Sequence, residues 1–304
     1  MENTVRSIAE KHFGQDIESI EPLGGGFYGR VFLVKMKKAP FSAVVKLYLF
    51  DGFAVNEALQ LKTLSRHSKL KMPEVYGVYK AGETGLPHDA LIMEFLDGVN
   101  AGWLDVSALS SDAKNTICEN IVDNLISIHS KANFEGFGEL SQKEFFPTWQ
   151  EFYRPKAKRI VEKARYLKSI GQISDYVMDV FESSFENFDK IFCLPITEAR
   201  LIHGDYNTWN IMLNDEKSRA EYVIDPFGCC FGDSEYDLYQ LDNANGKDYG
   251  LLKRYAEKVT LSENFIQKRY FYELYSEISH YHDARVPVDF AAAERMANNL
   301  SEFL

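Results

Sequence analysis

An aspartate, an asparagine and a second aspartate occur in this chain at spacings that suit phosphoryl transfer. Asp205 follows the dipeptide His203-Gly204 and precedes Asn210 by five positions, and Asp225 ends a short apolar run. Transfer of a nucleotide phosphate needs a carboxylate at the acceptor hydroxyl and oxygen ligands that hold Mg²⁺ on the phosphates. We therefore predict that Asp205 is the catalytic base and that Asn210 and Asp225 are the metal ligands.

The same spacing predicts a local structure that brings the three side chains together. We expect a loop that carries Asp205 and Asn210, then a strand over 211–213, a tight turn, and a return strand over 222–224. Such a hairpin would place Asp225 beside Asn210. An aspartate five positions before an asparagine is common in unrelated loops, so a purely structural loop is the alternative. The His-Gly prefix and the Val-Ile-Asp-Pro that follows favour the catalytic interpretation.

A lysine and a glutamate in the first hundred residues are candidates for the phosphate end of a nucleotide site. Lys46 is the single cation in the apolar run 43–47, and Glu57 follows eleven positions later in a predicted helix. A lysine on such a strand can reach the α- and β-phosphates of a nucleotide, and Glu57 would hold it in place. The alternative is that both are solvated surface charges. The catalytic set downstream favours the ion pair.

Two further segments are predicted to contact the nucleotide. Gly25 and Gly26 lie in the glycine-rich run 24–29 between two expected strands, where glycines let the backbone approach phosphates closely. This run lacks the Gly-Lys-Ser/Thr of a Walker A loop, and no helix follows it as in a dinucleotide site. A tight hairpin without a ligand fits equally well. Glu94 and Leu96 end the last strand of this region, and we expect backbone groups there to pair with an adenine edge.

Four residues near the catalytic set are candidates for structural or substrate contacts. His203 precedes the predicted base, and Trp209 lies within the same loop. Asp233 follows the second aspartate closely enough to serve the metal or the substrate. Asp237 opens a predicted helix over 236–241, and we expect its carboxylate to fix the catalytic loop by accepting hydrogen bonds from backbone N–H groups.

The apolar pattern predicts an α+β fold with two lobes. Apolar residues recur at helical spacing over 53–65, and short apolar runs typical of strands surround this helix. From about residue 107 the pattern is mostly helical. We therefore predict a nucleotide-binding lobe over 1–96, with a small antiparallel sheet and one helix, and a mainly α-helical catalytic and substrate-binding lobe over 97–304. A cleft between two lobes is a common place for a ligand.

The expected elements can be given by range. The strands of the small lobe cover 17–23, 31–36, 43–48, 75–79 and 90–94. The helices outside 53–65 cover 4–13, 111–131, 145–168 and 172–190, and helices resume near residue 234.

Composition and charge narrow the class of protein. The chain has 304 residues with 45% hydrophobic and 26% charged residues, which is ordinary for a globular protein large enough for two lobes. A net charge of −11 argues against nucleic-acid or anionic-membrane partners, which require clustered cations. It would suit a cationic small-molecule substrate, although acidic surfaces are also common in bacterial cytosolic proteins.

Cysteine usage and the N-terminus indicate a cytoplasmic protein. The four cysteines contain no C-x-x-C pair, and the adjacent Cys229-Cys230 is a poor framework for a disulfide or a zinc site. Reduced, structural thiols are the expected state. The first residues contain no apolar core of a signal peptide, and no apolar run approaches the roughly 18 residues that span a bilayer.

Taken together, these residues resemble the phosphotransferase family that includes aminoglycoside phosphotransferases, choline kinases and fructosamine (ketosamine) kinases. The shared signature comprises His203-Gly204-Asp205, Asn210, Ile224-Asp225, Gly232-Asp233 and Asp237-Leu238. The resemblance covers nearly the whole chain and implies a protein-kinase-like fold with O-phosphorylation by ATP or GTP and Mg²⁺. It also implies Asp205 as the base, Asn210 and Asp225 as metal ligands, and Lys46 as a phosphate ligand.

The resemblance leaves more than one acceptor open. It implies a small-molecule kinase that transfers the γ-phosphate to a hydroxyl of an aminoglycoside, a sugar or a ketosamine-like compound. The alternative is a metabolic kinase of the fructosamine or choline type rather than an antibiotic-modifying enzyme. The loop interior 206–209 differs from the usual residues of antibiotic kinases, and Trp209 resembles the tryptophan that ketosamine kinases carry in this loop, at a different offset from the aspartate.

Two more distant functions are a protein kinase and a pseudokinase that binds nucleotide without turnover. Against the first, Gly204 stands where regulated protein kinases have an arginine, and only about nine residues separate Asp225 from the helix expected at Ser234. That leaves no room for a long activation segment. Against the second, each polar group that catalysis requires is present.

Aromatic and acidic residues mix near the end of the chain, over 270–275 and 280–283. Such a mixture can stack on a sugar face and pair with amines. The alternative, which we favour for any single residue, is that these aromatics belong to the core. His280 and His282 do not form a convincing metal pair, because residues two positions apart lie on different faces of a helix.

Overall fold

The computed structural model describes residues 1–26, 28–83, 88–281 and 288–304. The elements of the small lobe are α1 (Glu2–Phe13), β1 (Ile17–Gly25), β2 (Gly29–Met36), β3 (Ser42–Tyr48), α2 (Phe53–Leu64), β4 (Val75–Tyr79) and β5 (Ala90–Glu94). Within the described residues the five strands form one antiparallel sheet in the order β1-β2-β3-β5-β4.

The alternation of side chains along β3 determines which way its lysine points. Ala43 and Val45 belong to the cluster that packs against α1, together with Val5 and Ile8 of that helix. Because successive side chains of a strand point to opposite faces, Lys46 lies on the other face, towards α2. This is the face that looks into the cleft between the lobes.

The large lobe begins after β5 and is mainly helical. Its helices are α3 (Ser111–His129), α4 (Trp149–Ser169), α5 (Asp175–Glu186), α6 (Phe188–Ile191), α7 (Gly246–Tyr249), α8 (Leu251–Lys258), α9 (Phe265–His280) and α10 (Phe290–Ser301). Its strands are β6 (Val99–Asn100), β7 (Ala132–Asn133), β8 (Gly138–Glu139), β9 (Ala199–Leu201), β10 (Ile211–Leu213), β11 (Ala220–Val223) and β12 (Cys230–Gly232). Short 3₁₀ helices cover Ala101–Trp103, Val106–Ala108, Thr208–Asn210 and Ser234–Asp242.

Two small sheets of the large lobe hold the catalytic motif. Strands β10 and β11 form an antiparallel hairpin in which Ile211 lies opposite Val223, and β6 from the interlobe linker pairs with the other edge of β10. A second sheet has the order β7-β9-β12-β8. The catalytic loop runs from β9 to β10 and is therefore held by one sheet at each end.

A continuous apolar core passes beneath this loop from one lobe to the other. It joins Leu61 of α2 and Leu125 of α3 to Tyr206 of the catalytic loop and Val223 of β11. The Tyr206 hydroxyl donates to the backbone oxygen of Ile121 at 2.8 Å and accepts a hydrogen bond from Asn124 Nδ2 at 2.9 Å. The loop backbone is thus anchored from below by a buried, hydrogen-bonded ring.

The predicted α+β, two-lobed fold is confirmed; the differences concern element boundaries and one small sheet of the large lobe. The return strand expected over 222–224 is β11, which begins at Ala220 and ends at Val223. The Asn214 side chain accepts from the N–H groups of Ser218 and Arg219 and so closes the connection directly before β11. The helix expected over 172–190 is interrupted at Asn187. The strands of the 4-stranded sheet in the large lobe have two or three residues each and were not predicted.

None of the helices in the described part of the chain combines the length and apolar character that crossing a bilayer requires.

Candidate active site

A buried lysine is at the centre of the charged groups in the cleft. Lys46 Nζ donates to Glu57 Oε2 at 2.8 Å and to Asp225 Oδ1 at 2.5 Å, and the Tyr48 hydroxyl donates to the same Glu57 oxygen at 2.6 Å. Burial alone would lower the pKa of Lys46, but Asp225 and Glu57 outweigh it and raise that pKa above its usual value. Burial raises the pKa of Glu57, and Lys46 opposes this effect.

The Asp205 carboxylate is held by two side-chain amides. Asn207 Nδ2 donates to its Oδ1 at 2.7 Å, and Asn210 Nδ2 donates to its Oδ2 at 2.8 Å. Burial, reinforced by the nearby negative charge of Asp225, raises the pKa of Asp205 to about 7, while the two amides act in the opposite direction. A carboxylate with a pKa near neutrality is suited to accept a proton at physiological pH.

The β10–β11 hairpin brings the two candidate metal ligands together. The Ile224 N–H donates to the Asn210 backbone oxygen at 2.9 Å, so Asp225 comes directly after a residue bonded to Asn210. Asn210 commits its amide nitrogen to Asp205, which leaves its amide oxygen for a cation. Asp225 is exposed and has a φ of 54°, a left-handed conformation that is rare for a residue other than glycine.

This donor set fits Mg²⁺. A carboxamide oxygen and a carboxylate are hard ligands, and Mg²⁺ usually takes one or two protein carboxylates together with substrate phosphates and water. Among the described residues, no group of three or more His, Cys, Asp or Glu side chains could hold a metal ion. The arrangement therefore suits a cation that arrives with nucleotide phosphates.

Asp237 lies behind the catalytic loop and binds its backbone. Its Oδ2 accepts the His203 N–H and its Oδ1 accepts the Gly204 N–H, both at 2.7 Å, and His129 Nε2 lies 3.1 Å from Oδ2. Gly204 has a φ of 83°, and a Cβ atom there would lie 2.0 Å from the Phe227 backbone oxygen. The loop conformation therefore requires both the carboxylate behind it and a glycine within it.

His203 is a buried part of this loop support. Its Nδ1 accepts the Asp205 N–H at 3.3 Å, and its ring packs edge-on against Tyr206. Burial lowers the pKa of His203 to about 4, so the imidazole is neutral at physiological pH. These contacts make it a support of the loop.

Asp233 lies in the core of the large lobe. Its Oδ2 accepts hydrogen bonds from Lys268 Nζ at 2.8 Å and from the Tyr272 hydroxyl at 2.7 Å, and its Oδ1 accepts the Glu235 N–H at 3.1 Å. With 3% of the residue exposed, this carboxylate is committed to α9 and to the start of the 3₁₀ helix. The sequence suggested that Asp233 contacts the metal or the substrate. The hydrogen bonds of Asp233 in this structure support neither role.

The glycine-rich hairpin carries an aromatic side chain down to the cleft. The Tyr28 ring stacks on Phe227, two residues after Asp225, with centroids 4.6 Å apart, and on Phe53 of α2 at 5.1 Å. Burial, and then the charge of Asp205, raise the pKa of Tyr28 to about 12. Gly25 ends β1 and the Gly26 N–H donates to Gly29, so both glycines lie at the tip of this hairpin.

The end of β5 lies at the interlobe linker, where the adenine contact was predicted. Glu94 is opposite Ala43 in the sheet, its N–H donates to the Glu74 oxygen at 2.8 Å, and its carboxylate pairs with Lys71. Leu96 is buried just beyond the strand. The Glu94 side chain is therefore already paired with Lys71. Within this segment, the backbone groups remain as candidates for the predicted contact with the adenine edge.

Two exposed tryptophans lie beside the catalytic loop. Trp209 is 45% exposed and Trp103 is 78% exposed, and their ring centroids are 6.2 Å apart with the planes tilted by 43°. Asn100 Nδ2 donates to the Trp209 backbone oxygen at 2.5 Å. A Cβ atom at Gly102 would lie 2.4 Å from the Trp209 ring, so this glycine allows the close contact.

The aromatic residues near the end of the chain are mostly core. Phe271, Tyr272 and Tyr275 of α9 are fully buried, as favoured above. His282 and Asp283 lie outside the described residues. His280 packs against Phe227 with a centroid distance of 6.0 Å.

Comparison with known proteins identifies the family. The model of the fructosamine kinase family matches residues 1–300. The chain belongs to the fructosamine kinase family. The predicted enzyme class, a phosphotransferase with an alcohol group as acceptor, is confirmed by this membership. The predicted resemblance is confirmed as well.

Individual relatives are distant. An uncharacterised protein, YcbJ of Escherichia coli K12, is 23% identical over 249 residues, which cover 79% of this chain and 78% of YcbJ. The crystal structure of a candidate fructosamine-3-kinase from Haemophilus somnus 129PT has a TM-score of 0.71 at 17% identity, covering 100% and 98% of the two chains. The gentamicin complex of the aminoglycoside phosphotransferase APH(2″)-IIa has a TM-score of 0.69 at 18% identity, covering 98% and 95%. These structural similarities support the kinase-like fold.

Several contacts of the site were not anticipated from the sequence. Asn207 holds the predicted base, Tyr48 shares the Glu57 oxygen with the lysine, and Tyr28 stacks on Phe227 across the cleft. The only available signal was position: Asn207 lies within the catalytic motif and Tyr48 two residues after the lysine, on the same face of β3.

Proposed function

We propose that this protein transfers the γ-phosphate of ATP or GTP, bound with Mg²⁺, to a hydroxyl group of a small molecule. The observation that carries the proposal is the Asp205 carboxylate, which is held between two amides beside the hairpin that ends at Asp225. A base, two hard oxygen ligands and a buried lysine are the groups that phosphoryl transfer uses.

In the proposed reaction Asp205 takes the proton of the acceptor hydroxyl. The hydroxyl oxygen forms a bond to the γ-phosphorus while the bond from that phosphorus to the β–γ bridging oxygen breaks, and the nucleoside diphosphate leaves. Asn210 and Asp225 would hold Mg²⁺, which neutralises charge on the phosphates when bound. The amides of Asn207 and Asn210 keep the Asp205 carboxylate oriented towards the acceptor.

Lys46 has to change partners when the nucleotide binds. In this structure it bridges Glu57 and Asp225. Phosphate oxygens would compete with Asp225 for Lys46, and Mg²⁺ would compete with Lys46 for Asp225. We therefore infer that Lys46 keeps its bond to Glu57 and exchanges Asp225 for the α- and β-phosphates. Tyr48, which donates to the same Glu57 oxygen, keeps that carboxylate in place during the exchange.

For the acceptor we propose a ketosamine, a sugar joined to an amine, and a metabolic role. Family membership favours this class over an aminoglycoside. The exposed faces of Trp209 and Trp103 beside Asn210 offer apolar surfaces on which a sugar ring can stack. The net charge of −11 favours a compound with a protonated amine.

A nucleotide-consumption screen tests the proposal. The full chain is incubated with ATP or GTP, Mg²⁺ and single acceptors: ketosamines, free sugars, choline, aminoglycosides, macrolides and, as a protein acceptor, casein. We expect turnover with a ketosamine and little with the antibiotics. Turnover with an aminoglycoside alone would reverse the choice of acceptor, and phosphorylation of casein alone would replace the small-molecule assignment with a protein kinase.

A further inference from the structure

A second cavity lies beside α2, where the small lobe meets the segment that follows Asp225. Its volume is about 320 Å³, and it is enclosed by α2, by the loop that follows β8 and by the segment after Asp225. Neither Lys46 nor Asp205 is among its lining residues. Phe53 and Phe227 form part of its wall; their centroids are 6.4 Å apart, and the Tyr28 ring packs against both.

Two buried acceptors on one face of α2 line this cavity. Glu57 is 7% exposed; its Oε2 accepts from Lys46 and Tyr48, whereas its Oε1 is buried without a hydrogen-bond donor from any described residue. The buried Oε1 of Gln60 has no donor within the described residues either. Residues three positions apart lie on the same helix face, so both side chains border the same space. Buried acceptors without donors are unfavourable and are rare in folded proteins.

The remaining lining defines the chemistry that would satisfy these acceptors. Among the described residues that line the cavity, the charged ones are Glu57 and Glu139, and there is no Lys, Arg or His. The rings of Phe53 and Phe227 can attract a cation through their faces. We propose that this cavity binds an alkylammonium group, which donates hydrogen bonds to Glu57 and Gln60 while Glu139 balances its charge.

Occupation of this cavity would act on the catalytic centre through direct contacts. Glu57 is the residue that holds Lys46, and Phe227 follows the metal-side Asp225 by two positions. An ammonium group on Glu57 Oε1 would leave Lys46 less tightly drawn to that carboxylate and freer to engage phosphates. The amine has two sources: a group of the acceptor itself, which rests on the proposed function, or a separate small amine.

Calorimetry with a defined probe tests binding without any turnover. The full chain is titrated with 1,3-diaminopropane and, as a neutral match, with 1,3-propanediol at constant ionic strength. The variants are Gln60→Met and Glu139→Gln, which remove an acceptor and a charge from the lining. The matched control is Gln267→Met, a half-buried position in α9 outside the lining. Circular dichroism and thermal unfolding check that each variant is folded.

We expect the diamine to bind wild-type protein at least about tenfold more tightly than the diol. Gln60→Met and Glu139→Gln should each weaken diamine binding by about fivefold or more, and Gln267→Met should leave it unchanged. Equal affinity in all folded variants, or no diamine binding to the wild type, would overturn the proposal.

Steady-state kinetics then separates the two sources. A diamine that raises KM for the acceptor and leaves kcat unchanged occupies a place that the acceptor's own amine takes. A diamine that changes kcat or KM for the nucleotide, without competing with the acceptor, marks a separate regulatory amine. Saturating diamine without any kinetic effect would contradict the link to Lys46. Failure of every acceptor would count against the proposed function while the calorimetric result stands.

Discussion

Two carboxylates on opposite sides of the catalytic loop differ in what holds them. Asp237, behind the loop, is fully buried and accepts two backbone N–H groups, those of His203 and Gly204. Asp205, in front of the loop, is partly buried and is held by side-chain amides, with no cation on its carboxylate among the described residues. Backbone donors fix the geometry of Asp237, whereas each carboxylate oxygen of Asp205 accepts from one side-chain amide.

The two carboxylates differ in what they contribute to the loop: Asp237 fixes its backbone, and Asp205 provides a group whose pKa is near neutrality. Charge on Asp237 is distributed over hydrogen bonds that exist only in the folded loop, so that carboxylate stabilises the fold. Asp205 is desolvated beside the negative Asp225, which raises the pKa of Asp205 to about 7, a value that suits its proposed role as base. Substitutions on the two sides should therefore separate activity from stability.

The largest expected effect is on turnover. Asp205→Asn removes the base but keeps the size of the side chain, so we expect kcat to fall by about 10²–10⁴-fold while the nucleotide Kd stays close to that of the wild type. Asp225→Ala should instead weaken binding of the Mg²⁺-nucleotide. Kinetics and calorimetry measure the two quantities, and an equal loss of nucleotide affinity in both variants would contradict the division of roles.

The next largest effect is expected inside the loop. Gly204→Ala would place a Cβ atom 2.0 Å from the Phe227 oxygen at a φ of 83°. We expect it to lower the free energy of unfolding by more than about 2 kcal/mol, because the backbone has to shift as well as adopt a strained φ. Gly14→Ala is the matched control: it also has a positive φ, of 62°, but no other heavy atom lies within 4 Å of its Cβ position. Urea unfolding of both variants measures the difference, and equal losses would argue against a tightly packed loop.

Removal of charge behind the loop should cost stability. Asp237→Asn replaces one of the two acceptor oxygens by an NH₂ group, so one backbone N–H loses its hydrogen-bond acceptor. We therefore expect the free energy of unfolding to fall by about 1–3 kcal/mol. Asp205→Asn, which faces the cleft, should cost less. Thermal and urea unfolding of the pair provide the comparison. A larger loss for the residue in front would reverse the roles assigned here.

A smaller effect is expected on the pH dependence. Asp205 must be deprotonated to accept a proton, so kcat/KM should fall as pH drops below about 7. Asn207→Ala removes a donor that favours the carboxylate form, which should raise the pKa of Asp205 and move this limb to higher pH by about one unit. Asn243→Ala is the control, because Asn243 contacts Gln240 and not the carboxylate. If the acid limb of the kcat/KM profile in Asn207→Ala stays at the wild-type pH, Asn207 does not stabilise the charged form of Asp205.

The sequence predicted the groups that depend on local periodicity. Lys46 could be placed on a strand and Glu57 on a helix because apolar spacing determines which way each points, and their contact at 2.8 Å is what that placement implies. The hairpin that carries Asn210 and Asp225 followed from a short apolar run and a turn. The exact bounds of its second strand, β11, could not be predicted, because hydrogen bonds to the Asn214 side chain determine where the turn ends.

Contacts between distant segments could not be predicted in this way. Asp233 bonds Lys268, which lies 35 positions later in α9, and no pattern along the chain indicates that pair. The stacking of Tyr28 on Phe227 joins a hairpin of one lobe to a loop of the other. The strands of the 4-stranded sheet in the large lobe have two or three residues each, which is too short for an alternating pattern.

A structure of the protein with Mg²⁺ and a non-hydrolysable nucleotide tests the central claim most directly. We predict metal–oxygen distances of about 2.0–2.1 Å to Asn210 and Asp225, with Lys46 moved from Asp225 to the phosphates and the γ-phosphorus facing Asp205. A metal bound elsewhere, with Lys46 still on Asp225 and the γ-phosphate directed away from Asp205, would contradict the account.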